Sequence, residues 1–136
     1  MAWVVDTSLL IDIGMKDQEF SQPAGRLLES KTADGLVICP VSYVELSPLF
    51  GGNTRDADAF LKTVNVDFTQ AWIEADTKTA FAAWNTTVQR KRQGLDSRRP
   101  VADVLIGAFA SRFQGLLTRD PRGVRNIFQS LTILHP

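Results

Sequence analysis

At 136 residues, 44% of them hydrophobic and 22% charged, the chain is long enough for one domain, residues 1–136, with a buried core and no need of covalent staples. Its single cysteine, Cys39, follows the apolar run Leu36, Val37, Ile38, which excludes a disulfide framework and a cysteine metal site and leaves a small buried hydrophobe. The net charge of zero hides a division: residues 1–87 carry six Lys or Arg against twelve Asp or Glu, and residues 88–125 carry nine against three. An acidic half beside an arginine-rich one suits a cation site bordering a phosphate-binding surface, and equally an ordinary solvated exterior. Asp6 arrives too early for a signal peptide, and no stretch approaches the roughly 18 apolar residues of a membrane span, so no membrane association and a cytoplasmic location are expected.

In chain order, Ala2 to Val5 is a β-branched and aromatic run ending at Asp6, with Thr7 and Ser8 placed to cap a following helix. Residues 20 to 33 carry Phe20, Ala24, Leu27 and Leu28 at helical spacing, and Gly35 breaks the pattern before the strand-like Leu36 to Cys39. Pro40 and Ser42 open a helix through about Phe50; Gly51, Gly52 and Asn53 end it, and Thr54 caps another through about Val64. A short strand near Val66 to Phe68 precedes a long helix from about Gln70 to Arg92, with Trp72, Ala75, Thr79, Ala83 and Trp84 as its expected buried face. A polar loop, residues 93–100, leads into an apolar helix from Val101 to Phe113 that Gly115 stops. Leu116 to Thr118 then form a strand ahead of Asp120, and Leu131 to Leu134 form the last. Strands alternating with helices predict an α/β fold around a parallel sheet, whose sites lie at the carboxyl ends of its strands.

Four acids stand out against that framework. Asp6 and Asp120 each follow a predicted strand, although an N-cap and a turn residue are the plain alternatives. Glu45 shares a helical stripe with Val41 and Leu49, which predicts a partly buried carboxylate in need of a partner, an exposed helical Glu or a salt bridge to an arginine being the alternatives. Asp103 is the only ionisable residue between Pro100 and Ser111; a helix that is apolar on nearly every side points its one acid into protein or a cleft, helix-dipole stabilisation being the alternative. Gly107 and Ala110 are expected to leave its face uncluttered. Together the four suit a hard divalent cation, magnesium rather than zinc, because histidine is confined to His135 near the end of the chain. Without a histidine-assisted nucleophile or a glycine-rich phosphate loop, metal-assisted phosphodiester hydrolysis is the leading chemistry. A binding protein that does not cut, and an aspartyl-phosphate chemistry on Asp6, are the competing classes.

The ordered set Val-Val-Asp6-Thr7-Ser8, Glu45 on a helix, Ala-Asp103-Val-Leu-Ile-Gly-Ala and Leu-Leu-Thr118-Arg-Asp120 resembles the PIN-domain ribonucleases, in particular VapC-type toxins of toxin–antitoxin pairs, over essentially the whole chain. The resemblance implies a PIN-like three-layer α/β/α sandwich and Mg2+- or Mn2+-dependent endonucleolytic cleavage of RNA. It implies that Asp6, Glu45, Asp103 and Asp120 form the acidic metal-binding and catalytic cluster, supported by Ser8 and Thr118. It also implies a small VapB-like antitoxin that covers the groove, and a homodimer. Arg98, Arg99, Arg119 and Arg122 are the candidate RNA contacts. Pro121-Arg122-Gly123 departs from the helical, aromatic-rich continuation expected there, with Phe128 left to fill the usual apolar position.

Overall fold

A computed structural model describes residues 1–94 and 101–136; Arg98 and Arg99, and most of the loop expected over 93–100, lie outside them. Five strands, β1 (Trp3–Val5), β2 (Leu36–Val37), β3 (Val66–Asp67), β4 (Gly115–Leu117) and β5 (Ile133–Leu134), form one sheet. Their order is β3-β2-β1-β4-β5, and all four pairings are parallel. The chain moves outward from β1 through β2 to β3, then returns to place β4 on the other side of β1. The order therefore reverses between β1 and β4, and the crevice beyond their carboxyl ends is where sheets of this kind receive ligands.

Alternation along the strands splits the core into two layers. Trp3, Val5, Leu36, Ile38 and Leu117 face a cluster built with Leu9 and Leu10 of helix α1 (Thr7–Gly14), Ala24 and Leu28 of α2 (Ser21–Lys31) and Leu61 of α4 (Thr54–Thr63). Val4, Val37, Cys39 and Leu116 face the other way, against Ile106, Phe109 and Ala110 of α6 (Val101–Ala110). Cys39 is fully buried, and desolvation holds its thiol at a pKa of about 11, so it packs as a hydrophobe.

Several elements differ from their predicted form. The helix begun at Pro40 ends at Glu45 as α3 (Pro40–Glu45), and Ser47–Phe50 continue as a 3-10 turn. Val41, Glu45 and Leu49 therefore do not share one stripe; Ser42 and Leu46 are buried instead, and Glu45 is exposed. Asn53, not Thr54, caps α4, accepting the N–H of Asp56 at 3.1 Å. The long helix α5 (Glu74–Arg92) starts later than predicted, because Asp76 reaches back to accept the N–H of Ile73 at 3.0 Å. A different face is buried as well: Asp76, Ala80, Ala83 and Thr87 are buried, whereas Ala75, Thr79 and Trp84 are exposed. The alanines let α5 pack closely on Val104 and Ala108 of α6.

Helix α6 ends at Ala110 rather than Phe113, and Gly115 opens β4 instead of stopping a helix. There a Cβ would collide with the carbonyl oxygen of Thr132 and stand 2.7 Å from the ring of Trp3. Gly107 does not clear the face of Asp103 as expected: it seats Phe128, whose ring occupies the space a Cβ would need. Residues Arg122–Ile127 form a short helix, α7, after Pro121, so the departure in sequence leaves a helical continuation and Phe128 is buried at its end.

Candidate active site

The four sequence-selected acids come from four places in the fold and reach one edge of the sheet. Asp6 follows β1 directly, Glu45 ends α3, Asp103 lies in the first turn of α6, and Asp120 follows β4 by three residues. A cleft of about 490 Å3 is lined by Asp6, Glu45 and Asp103, together with Thr7, Ser8 and Arg119. An adjoining recess of about 100 Å3 is lined by Asp6, Asp103 and Asp120, with Thr118 and again Arg119. Asp6 and Asp103 thus border both spaces, Glu45 one and Asp120 the other.

Asp6 occupies the N-cap position of α1, yet its side chain makes no capping bond. Its Oδ2 instead accepts the hydroxyl of Ser8 at 2.9 Å and that of Thr118 at 2.7 Å. Each hydroxyl oxygen also receives a backbone N–H: Arg119 N–H reaches Ser8 Oγ at 3.4 Å and Asp120 N–H reaches Thr118 Oγ1 at 3.3 Å. A hydroxyl has one proton. Both protons are directed at Asp6, which fixes the carboxylate plane and leaves Oδ1 with no hydrogen bond from a described residue. Thr7, predicted as a cap, is buried within α1 and donates to Glu45 Oε1 at 2.7 Å. Asp120 also serves its turn, its Oδ1 accepting the N–H of Arg122 at 3.4 Å and Nε at 3.2 Å.

Sequence reasoning missed Asp12. It lies on α1, lines the larger cleft and is 5% exposed, held by Arg119 Nη1 at 3.1 Å while its Oδ2 is buried with no hydrogen-bond partner among the described residues. Burial pushes its pKa up, the Arg119 guanidinium pulls it down, and Asp17 adds to the rise. Its signal was an acid four residues after Ser8, one turn along the same helix face.

Among the described residues no three acidic side chains stand gathered closely enough to hold a metal ion. The donor set nevertheless fits a hard cation in kind. Every candidate ligand is a carboxylate oxygen, and magnesium needs only one or two carboxylates beside its waters and substrate phosphates. Asp6, oriented through Oδ2 and open at Oδ1, has the form of such a ligand, supported by hydroxyls rather than neutralised by a base.

No protein-family model matches the sequence, and comparison with curated proteins finds no significant match. Solved structures do match. At a TM-score of 0.70 and 20% identity, 99% of this chain superposes on 98% of a chain of VapBC-1 from nontypeable Haemophilus influenzae. At a TM-score of 0.63 and 17% identity, the whole chain superposes on 99% of a chain of VapBC2 from Rickettsia felis, in a crystal structure with a DNA fragment from their promoter. Full-length superposition with so little shared sequence speaks for architecture: the chain has the PIN-like α/β fold found in these VapBC structures, an all-parallel five-stranded sheet flanked by helices.

Proposed function

We propose that the protein is a Mg2+- or Mn2+-dependent endoribonuclease, a single PIN-like domain acting as the toxin of a type II toxin–antitoxin pair and inhibiting translation and growth. The observation that carries this reading is the pair Asp6 and Asp103 at the sheet's reversal point, each bordering both recesses, with Glu45 to one side and Asp120 to the other. Those four residues would hold the cation. When bound, it supplies activation of water and neutralisation of charge on the phosphodiester.

The chain's own residues do the rest. Ser8 and Thr118 fix the plane of Asp6, and Thr7 fixes Glu45. A cleft of this depth, open to solvent, admits a single strand or a splayed loop more readily than an A-form duplex, whose bases and backbone are locked in the helix. Its acidic wall and the VapBC likeness support a small antitoxin as partner, one whose basic side chains would answer the carboxylates. A homodimer and a cytoplasmic location belong to the same reading; among the described residues no helix is long and apolar enough to cross a membrane.

The test compares wild type with Asp6→Asn on single-stranded and structured RNA, in magnesium, in manganese and in chelator. Cutting should require the metal and fall by roughly 100-fold or more in the variant, the scale of losing an electrostatic catalytic group. Metal-independent cutting, or an unimpaired variant, would sink the reading.

A further inference from the structure

The cleft poses an electrostatic problem for a polyanionic substrate. Its walls carry five carboxylates, Asp6, Asp12, Glu45, Asp103 and Asp120, and among the described residues Arg119 is the only basic side chain lining either recess. Arg119 is tethered at both ends: its backbone N–H bonds Ser8, and its Nη1 bonds the buried carboxylate of Asp12. Its guanidinium also lies over the ring of Phe20, 4.5 Å from the centroid.

A second arginine in the same molecule serves as a control. Arg112 meets buried Asp76 through two donors, Nε at 2.6 Å and Nη2 at 2.9 Å, and spends a further bond on the carbonyl of Ala71 at 3.0 Å. That guanidinium spends both Nε and Nη2 on holding α5 to the residues that follow α6. Arg119, by contrast, commits only Nη1 to a side-chain hydrogen bond among the described residues, remains 41% exposed, and lines both recesses. Asp12 is left with a buried oxygen that no described residue satisfies. A one-point hold on a buried acid is a poor way to stabilise a fold, because desolvation offsets most of the attraction. It is an effective way to fix the direction of a guanidinium whose remaining fork is still open.

We propose that Arg119 is a pre-aimed phosphate clamp, taking a backbone phosphate of the RNA strand beside the scissile bond, and that Asp12 is the positioning residue that aims it. This rests on the nuclease reading for the identity of the substrate, but the clamp itself is read by binding. The direct test is the affinity of a short, fluorescently labelled single-stranded RNA in chelator, across a salt series, for wild type, Arg119→Gln, Arg119→Lys and Asp12→Asn, with melting temperatures alongside and cleavage kinetics in magnesium.

Arg119→Gln should weaken binding roughly tenfold and lower the salt slope by about 0.7, one phosphate of a single strand. Arg119→Lys should keep the slope but lose affinity, since an ammonium lacks the planar fork. Asp12→Asn should raise KM several-fold with kcat nearly unchanged and no loss of melting temperature. Wild-type affinity and slope in Arg119→Gln, or no RNA binding by wild type, overturns the clamp. A KM defect in Asp12→Asn that tracks a fall in melting temperature overturns the positioning role. Cleavage indifferent to Arg119 removes the clamp and spares the nuclease; Arg119-dependent binding without metal-dependent cleavage does the reverse.

Discussion

Thr118 and Ser8 each hold a single proton, and the backbone decides where it goes. Thr118 is 2% exposed, accepts the N–H of Asp120 and donates to Asp6. Thr118→Val removes both bonds while keeping the shape, so it should cost about 1 to 3 kcal/mol of stability and about 10- to 100-fold in cleavage, as for other residues that orient a ligand. Urea denaturation and initial rates measure the two losses; a full loss of stability with unchanged rate would remove Thr118 from the site. Asp12 carries a pH prediction. Burial raises its pKa above the unfolded value, with Arg119 and Asp17 the charged groups beside it. The folded chain therefore holds that proton more tightly than the unfolded one. Its contribution favours the fold below the ordinary carboxylate range and is lost as pH rises through the raised value. Asp12→Asn should thus gain stability relative to wild type as pH increases over that window, a trend denaturation at several pH values detects. At this scale the sequence exposed acids by contrast with their neighbours, as with Asp103 among apolar residues. It hid Asp12, whose importance comes from Arg119, 107 positions away.

Among the elements, Gly107 and Gly115 differ in what they protect. A Cβ at Gly107 meets the Phe128 side chain, whereas a Cβ at Gly115 meets the backbone carbonyl of Thr132, which no side-chain torsion can move. Gly107→Ala should cost about 1 to 3 kcal/mol and be partly relieved by Phe128→Leu. Gly115→Ala should cost more and find no rescue in Trp3→Phe. Equal costs, or rescue at both sites, would show that the two contacts yield alike. Strand and helix positions were legible because apolar periodicity and Gly or Pro breaks were strong, as in Leu36 to Cys39. Phase was not. Adjacent residues lie about 100° apart around a helix, so choosing the neighbouring stripe misplaces the whole face, and the alanine- and threonine-rich α5 offers little apolar contrast to choose by. Its start, where Asp76 accepts the N–H of Ile73, was likewise recorded by no hydrophobic pattern. The same holds for α3, whose early end leaves Glu45 exposed beside Thr7.

For the whole molecule, the parallel sheet followed from strands alternating with helices, whereas its order and the reversal between β1 and β4 come from which strands pair, which alternation does not record, and the sorting of charge did not reduce to an acidic half and a basic half. Arg112 serves Asp76, Arg122 serves Asp120, and Arg90, Lys91 and Arg92 close the last turn of α5, where positive charge complements the helix dipole. Magnesium should bind the folded chain alone and raise its melting temperature with concentration, as linkage requires, and Asp6→Asn should blunt that rise. A shift identical in both proteins would assign magnesium elsewhere. One bond bears on how the molecule is made. Asp6 and Thr118 are 112 positions apart, so Asp6 waits until the chain has been made past β4 before its carboxylate is held by Thr118. If the proposed nuclease reading holds, synthesis itself would keep the nascent chain from cutting the RNA around it, and a product truncated before Gly115 should fold poorly and cut nothing.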